Sequence, residues 1–307
     1  MPRIYPIGGG KGGAGKSFIT ANLGVLLAKQ GKRVVLVDLD LGGSNLHTFL
    51  AHQNQKTDLN DFLNKTINNL NHAALPTIIP NLSIICSINC SLDIANLFHV
   101  QKLKIIKAIQ RLPYDYILLD LGAGTHFNTL DFFLTSNEGI FISTPEPTAI
   151  ENTLRFIKAV YYRKLKQLFK QRAFNMIVRD LLDRSNDTTI KLPHIIKFIM
   201  EQYPQKGELL KARLSESKFK LILNQVRKQI DPTLGVKIEK VCNRHFYSKF
   251  QFLGNVSYDE RVYDSIFSKK IYMGKYPYTP TATDIQYISK KLTDVIQDPL
   301  SVSSKLS

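Results

Sequence analysis

Short apolar runs rich in β-branched residues recur along the chain, each bounded by turn-forming residues. The runs are Arg3–Ile7, Arg33–Asp38, Leu82–Ile88, Tyr116–Leu121, Gly139–Ser143, Phe219–Asn224 and Phe250–Val256. Segments with apolar residues at helical spacing lie between several of them, namely Ser17–Gln30, Gln101–Arg111, Phe127–Ser136 and Ile150–Gln171. Nearly continuous apolar strands that alternate with helices are typical of a parallel sheet covered on both faces. We therefore predict an α/β fold with a doubly wound, mostly parallel sheet flanked by helices.

One long stretch, about residues 160–217, has no strand pattern, and its apolar spacing predicts several consecutive helices. We interpret it as a helical insertion between two strands of the sheet. Open α/β sheets of this size commonly form one unit, so residues 1–298 are expected to be a single domain. The polar residues 299–307 are expected to be a flexible tail.

A glycine-rich loop follows the first predicted strand and opens the first predicted helix. The run Gly8–Ser17 satisfies G-x-x-x-x-G-K-[ST], with Gly10 and Gly15 as the framing glycines. Such glycines let successive backbone N–H groups point inward at phosphate oxygens, and the helix N-terminus adds positive potential. Lys16 is expected to bridge the β- and γ-phosphates of ATP, and the Ser17 hydroxyl to bind Mg²⁺. The expected nucleotide contacts in this loop are Gly10, Lys11, Gly12, Gly13, Ala14, Gly15, Lys16, Ser17 and Phe18.

The composition adds an excess of positive charge to this picture. Lys and Arg total 41 against 25 Asp and Glu, giving a formal net charge of +16, which favours contact with polyanions. The cysteines Cys86, Cys90 and Cys242 do not form a disulfide framework or a Cys-x-x-Cys pair. No signal-peptide pattern and no apolar run near 18–20 residues is present, so we expect a cytoplasmic protein.

Lys11 is a second lysine within the glycine run, and one nucleotide is already served by Lys16. The loop resembles the deviant Walker A motif of the MinD/ParA family, K-G-G-x-G-K-[ST]. In that family the first lysine reaches across an ATP-sandwich dimer to the nucleotide of the partner subunit. The resemblance therefore implies that Lys11 acts in trans in an ATP-dependent homodimer.

Two more segments resemble the family. The strand that ends in Val37-Asp38-Leu39-Asp40 is similar to its second strand and switch I, which implies that Asp38 holds the magnesium shell and Asp40 positions the attacking water. The run Tyr116–Gly124 is similar to the Walker B strand and switch II, which implies that Asp120 faces the Mg²⁺-bound water. Asn224, which closes a later strand, matches the asparagine that reads adenine.

The likeness extends over roughly residues 1–155 and 218–297, and it is greatest to FlhG/FleN-like members. The run Leu41–His47 supports that subtype, as does Pro145–Thr148. Asn152 stands where many relatives have aspartate. The resemblance implies a slow Mg²⁺-dependent ATPase, stimulated by a protein partner, that positions or counts a flagellar or polar structure.

The excess of basic residues does not by itself identify the anionic surface, if any, that the protein binds. Residues 155–172 contain seven basic residues and no acid, with apolar residues on one helical face. Such a helix could bind an anionic membrane or DNA, or it could pack its apolar stripe on its own sheet. At the C-terminal end, Asp284–Asp298 has the spacing of a core-packing helix, which disfavours a C-terminal membrane anchor.

Other functional classes share this loop and stay open at this stage. A DNA-partition ATPase of the ParA type is the nearest alternative. A metal or iron–sulfur carrier would use Cys86 and Cys90. A P-loop tyrosine kinase would use the cluster Tyr272, Tyr276 and Tyr278. A small-molecule ligase on the same sheet is a further alternative.

Overall fold

The computed structural model describes residues 2–52, 57–87, 97–184 and 192–293, and its centre is an eight-stranded sheet in the order β3-β4-β2-β5-β1-β6-β7-β8. The strands are β1 (Arg3–Gly8), β2 (Val34–Leu39), β3 (Leu75–Pro76), β4 (Leu82–Ile85), β5 (Tyr116–Leu121), β6 (Ile140–Ser143), β7 (Lys218–Val226) and β8 (Lys249–Ser257). Neighbouring strands are parallel except for β3, which pairs antiparallel with β4. The predicted α/β sheet is confirmed.

Helices cover both faces of the sheet. They are α1 (Lys16–Lys29), α2 (Leu46–Phe49), α3 (Leu59–Leu63), α4 (His99–Ile109), α5 (Phe127–Phe133), α6 (Pro147–Phe169), α7 (Gln171–Arg184), α8 (Leu192–Gln202), α9 (Pro204–Ser215), α10 (Leu234–His245), α11 (Arg261–Phe267), α12 (Tyr272–Lys275) and α13 (Pro280–Thr293), with a 3₁₀ turn at Leu70–Ala73. Between β6 and β7 the described residues form the helices α6 to α9. None of the described helices has an apolar stretch long enough to cross a bilayer.

Alternation along the central strands divides the interior into two cores. In β2, Val35 and Val37 belong to the core beneath α4, α5 and α6, whereas Val34 and Leu36 belong to the core beneath α1 and α13. Because side chains alternate across a strand, Asp38 lies on the α1 side together with Val34 and Leu36. Asp120 lies directly opposite Asp38 in the register of β2 with β5. Both carboxylates therefore lie on the α1 side of the sheet.

Two details of the sheet differ from the sequence prediction. The predicted strand Leu82–Ile88 ends at Ile85, and Ile88 lies outside the described residues, as does Cys90. The short antiparallel strand β3 was not predicted, since Leu75–Pro76 has only two residues and carries no alternation. A proline is tolerated there because β3 is an edge strand.

The long basic helix α6 packs its apolar stripe inside the protein. Phe156, Ile157, Val160, Tyr161 and Leu165 are all buried. The apolar stripe of residues 155–172 therefore packs on the protein's own sheet and is not available to a membrane. At the C-terminal end, the buried residues Ile285, Ile288 and Leu292 likewise place α13 in the core, as its spacing predicted. Residues 294–307, including the predicted tail, lie outside the described residues.

The basic residues of α6 have different environments. Arg163 pairs with the buried Asp131, and the Lys164 ammonium group donates to Asn137 and Ser217. Burial lowers the pKa of Lys164 to about 8. Arg155 pairs with Glu151 at the surface, whereas Lys158 and Lys170 are exposed to solvent. Only part of this basic run is therefore available to an anionic partner.

Candidate nucleotide-binding site

The glycine loop joins β1 to α1 at the carboxyl edge of the sheet, where a nucleotide is expected in this topology. Its curvature depends on Gly13 and Gly15, whose φ values are 76° and 84°. Its position depends on close backbone packing: a Cβ on Gly10 would lie 2.0 Å from the Asn152 carbonyl oxygen of α6. Likewise, a Cβ on Gly9 would lie 2.6 Å from the Ile142 carbonyl oxygen. The loop therefore rests directly on β6 and on the first turns of α6.

Lys16 and Ser17 form the first turn of α1 and line a cleft of about 830 Å³. Lys16 is only 8% exposed. Burial lowers its pKa, and the nearby carboxylates of Asp120 and Asp40 oppose that shift. A buried ammonium group has lost most of its contact with water and needs a negatively charged partner. A phosphate chain bound in this cleft would provide that partner and would also accept hydrogen bonds from the backbone N–H groups.

Asp120 and Asp38 form a buried carboxylate pair beneath this loop. The Thr20 hydroxyl donates to Asp120 over 3.3 Å, and Ser17 also hydrogen-bonds to Asp120. Burial, together with the neighbouring Asp38, raises the pKa of Asp120. Two ionised carboxylates at neighbouring buried positions repel each other unless a proton or a cation lies between or beside them. The predicted metal residues Ser17, Asp38 and Asp120 thus lie together and offer the oxygen ligands that Mg²⁺ prefers.

Asp38 also organises the loop that follows β2. Its carboxylate accepts hydrogen bonds from the Ser44 hydroxyl at 2.7 Å, from the Leu46 N–H at 3.2 Å and from the Asp40 N–H at 3.0 Å. Burial raises the pKa of Asp38 to about 6 in spite of these donors. Asp38 therefore fixes the position of Asp40, the residue predicted to orient water.

Asp40 connects this loop to the one that follows β5. A Cβ on Gly122 would lie 2.9 Å from an Asp40 carboxylate oxygen, so a larger residue at 122 would displace Asp40. Asp40 also lines the nucleotide cleft with Ala123. The two segments predicted to be switch I and switch II are therefore in direct contact at Asp40 and Gly122.

The other end of the cleft is held by the carboxyl end of β7. The Asn224 amide donates to the Ala14 carbonyl and the Gln225 amide to the Gly13 carbonyl, both over 2.9 Å. Asn224 is buried and lies so close to Gly15 that a Cβ there would approach its amide nitrogen to 2.1 Å. The asparagine predicted to read adenine therefore lines the cleft and also fixes the glycine loop.

Sequence reasoning missed Gln225, and it also missed Tyr258 and Asp259, which line the same cleft after β8. Tyr258 lies under the Arg227 guanidinium, 3.9 Å from the ring centroid. The rule that ligands bind at the carboxyl ends of parallel strands points to the loop after Leu223, and it would also have found Tyr258 and Asp259, because β8 ends at the same edge as β1.

We expect Gln225→Gly to weaken Mg·ADP binding about fivefold while changing the free energy of unfolding by less than about 1 kcal/mol. Gln225 has φ of 59°, so glycine relieves backbone strain of about 1–3 kcal/mol while removing the bond to Gly13. Gln225→Ala should weaken binding equally but destabilise the fold more, because the strain stays. Titration with a fluorescent ADP analogue and thermal denaturation give the two quantities.

Lys65→Gly provides the control for strain relief alone, because Lys65 has φ of 64° and is exposed beyond α3. It should leave nucleotide affinity unchanged. Equal affinities of wild type and Gln225→Gly would show that the Gln225–Gly13 bond does not position the loop.

Lys11 lies in the exposed part of the glycine loop, unlike Lys16. Its positive charge contributes to lowering the pKa of Glu146, whose main cause is a hydrogen bond from Thr144. Glu146 precedes the first turn of α6, and Asn152 lies in that helix under Gly10. The loop lysine therefore lies near the Pro145–Asn152 segment, next to the start of α6.

Comparison with known proteins gives a family match over most of the chain. The family model described as the CobQ/CobB/MinD/ParA nucleotide binding domain matches residues 6–271. The septum site-determining protein MinD of Helicobacter pylori is 29% identical over 205 residues, which are 65% of this chain and 75% of that protein. The putative MinD of Oltmannsiellopsis viridis is 35% identical over 156 residues, which span 50% of this chain and only 49% of that protein.

Solved structures give the same fold. MinD from Pyrococcus horikoshii, complexed with Mg-ADP, has a TM-score of 0.66 at 20% identity, covering 96% of this chain and 97% of that chain. A ParA family ATPase from Chlorobium tepidum has a TM-score of 0.62 at 18% identity, covering 95% and 98%. These similarities concern the arrangement of the sheet and its helices.

Proposed function

This chain belongs to the CobQ/CobB/MinD/ParA nucleotide-binding family, and on that premise we propose that it is a Mg²⁺-dependent switch ATPase. ATP closes a homodimer, and hydrolysis to ADP and phosphate opens it. The dimer positions or counts a cellular structure, such as a flagellar or polar site, and a protein partner stimulates the slow intrinsic rate. The observation that carries the proposal is the glycine loop with one lysine in the cleft and a second at its exposed edge.

The nucleotide half of the proposal rests on the cleft. Backbone N–H groups of Gly10–Ser17 and the Lys16 ammonium group would hold the phosphates. Ser17, Asp38 and Asp120 would hold Mg²⁺, either directly or through its water ligands, and the metal would neutralise charge on the phosphates. The solved MinD of Pyrococcus horikoshii contains Mg-ADP, which agrees with this assignment.

The hydrolytic half rests on Asp40. This carboxylate lines the cleft and is held by the Asp38 hydrogen bond to its N–H and by contact with Gly122. It would accept a hydrogen bond from the attacking water in line with the γ-phosphate. Phosphoryl transfer needs mainly positioning and neutralisation of charge, so no further acid or base is required.

We expect the purified protein to form dimers with ATP and Mg²⁺ and monomers with ADP, and to hydrolyse ATP slowly. Light scattering measures the mass of the complex, and phosphate release measures the rate. Asp40→Asn is the control for contaminating ATPase: it should dimerise with ATP but lose at least about 100-fold in rate, because its amide positions water poorly. A chain that binds no adenine nucleotide in the presence of Mg²⁺ would defeat the proposal.

DNA binding of the ParA type is the second candidate, favoured by the net charge of +16 and by the exposed lysines of α6. Dimerisation would bring two basic surfaces together. The same assays, repeated with added DNA and separately with anionic liposomes, show whether the dimer binds DNA or a membrane. DNA binding through phosphate contacts should weaken by roughly 0.9 in log K per log salt for each contact. Binding that survives high salt would contradict this mode.

Two other classes receive little support from the geometry. The thiol of Cys86 is buried, and burial raises its pKa to about 12, which disfavours the thiolate that a metal centre needs. Among the described residues, no three or more His, Cys, Asp or Glu side chains lie together as the ligands of an iron or zinc centre would, and Cys90 lies outside those residues. For a tyrosine kinase, Tyr272 is buried and bonded to Asp259 and Thr279, although Tyr278 is 96% exposed.

A further inference from the structure

A second cavity, of about 740 Å³, lies on the α4, α5 and α6 side of the switch loops. Five of its lining side chains carry or can carry positive charge, namely His99, Lys102, His126, Arg163 and Lys166. Among the described residues that line it, Asp40 is the one carboxylate. Its volume is in the range of small-molecule sites, which run from about 300 to 1,000 Å³. The nucleotide contacts proposed above leave this cavity unused.

Two of these cations are held rigidly by one buried carboxylate. Asp131 of α5 accepts from the Lys102 ammonium group, from Arg163 Nε at 2.6 Å and a second Arg163 nitrogen at 2.8 Å, and from Gln167 at 2.8 Å. An ionised carboxylate offers about four acceptor positions, so Asp131 is saturated. The cluster therefore has one negative charge against two fixed positive charges.

Within the described part of the chain, the partners of these two cations leave some of their donors unused. Lys102, whose side chain is 6% exposed, donates to Asp131 and to Asn128, and an ammonium group has three N–H bonds. Arg163 uses two of its nitrogens on Asp131, and a guanidinium has five N–H bonds. Buried charges are stable when their donors are paired, so an anion in the cavity would complete both groups.

We propose that this cavity binds a small, multiply charged anion that carries phosphate or carboxylate groups. Lys102 and Arg163 form its fixed floor. Lys166, whose ammonium nitrogen lies 4.7 Å from the centroid of the Tyr162 ring, supplies a third cation at the edge. Phe127, 66% exposed beneath the Arg163 guanidinium, shields that side from water.

Occupancy of this cavity is coupled to the nucleotide cleft, a consequence that rests on the proposed function. Asp40 and Ala123 line both cavities, so the two ligands share one wall made from the switch loops. A ligand that changes the position of Asp40 changes the affinity of the other site. By linkage, the nucleotide must change the affinity for the anion by the same factor.

The test uses citrate as a polycarboxylate and inositol hexakisphosphate as a phosphate ester, each titrated by calorimetry into the chain saturated with Mg·ADP. ADP occupies the α- and β-phosphate positions of the glycine loop, and the Lys166→Ala variant then distinguishes binding in this cavity from binding at the rest of the loop. At least one anion should bind with a dissociation constant below about 1 mM, and the pair of titrations identifies the preferred chemistry. Lys166→Ala should weaken the affinity for the anion about tenfold. Arg163→Lys, which keeps a cation beside Asp131, should weaken that affinity at least about threefold.

Lys158→Ala is the matched control, because it removes the same charge from an exposed position of α6 outside the cavity. It should leave anion affinity unchanged. Binding of neither anion, or equal losses in Lys158→Ala and Lys166→Ala, would overturn the proposal. A Mg·ADP affinity that is identical with and without saturating anion would overturn the coupling.

The outcome is separable from that of the proposed function, since no step measures hydrolysis or dimerisation. If the chain bound no nucleotide, the titrations would be done on the nucleotide-free protein. The contrast between Lys166→Ala and Lys158→Ala would still report on this cavity.

Discussion

Lys11→Ala is expected to bind Mg·ATP normally yet to stay monomeric and hydrolyse ATP at least about 100-fold more slowly than wild type. Lys11 lies at the exposed edge of the glycine loop, whereas Lys16 is buried in the cleft. A cation supplied in trans to the transferring phosphate is worth about 10³–10⁵ in rate in related phosphoryl-transfer enzymes. Light scattering with ATP and Mg²⁺, with phosphate release, measures both effects.

Lys16→Ala is the companion variant, because it removes the lysine that serves the chain's own nucleotide. It should lose nucleotide binding in the monomer, which Lys11→Ala retains. The two lysines then have separable roles, one in binding and one in assembly. Normal dimerisation and hydrolysis by Lys11→Ala would disprove the trans role.

Gly10→Ala is expected to reduce Mg·ADP affinity by about 100-fold or more. The new Cβ would lie 2.0 Å from the Asn152 carbonyl oxygen and 2.3 Å from its carbon, and both are backbone atoms that cannot rotate away. Either the glycine loop or the first turns of α6 must move by about 1 Å. At a site whose groups must be accurately placed, a displacement of that size reduces performance roughly 10²-fold, and we expect a loss of that order in Mg·ADP affinity. Titration with a fluorescent ADP analogue measures the loss.

Gly12→Ala is the control within the same loop. A Cβ on Gly12 meets nothing within 4 Å, and its backbone is not in the left-handed region. Its affinity for Mg·ADP should stay within about threefold of wild type. Equal losses in the two variants would mean that the loop rejects any side chain, whatever its contact with α6.

The sequence was sufficient for the parts of the molecule that local patterns determine. Continuous apolar strands predicted the parallel sheet, and the run Tyr116–Leu121 matches β5 at both ends. The motif spacing predicted that Lys16 and Ser17 begin a helix directly after the loop, as they do in α1. In these cases the physical cause, burial of a strand on both faces or curvature from glycine, acts within a few residues.

Contacts between distant segments could not be predicted in the same way. The clamp of Gln225 on Gly13 joins residues 212 positions apart and uses an amide with no distinctive pattern. The cluster of Lys102, Asp131 and Arg163 likewise joins three helices. In the sequence, each of these residues taken singly is indistinguishable from an ordinary charged surface residue. The sequence suggested a basic amphipathic helix at 155–172, and only tertiary packing revealed which of its charges are used internally.

The buried stripe of α6 also limits how the protein can attach to a charged surface. Freeing each large apolar side chain costs about 1.5–3 kcal/mol, so withdrawing Phe156, Val160 and their neighbours together would cost on the order of 10 kcal/mol, comparable with the whole stability of a domain. Attachment through this helix is thus restricted to its solvent-facing lysines, such as Lys158 and Lys170. Contacts of that kind exchange rapidly and weaken as ionic strength rises, so binding through this helix would be readily reversible.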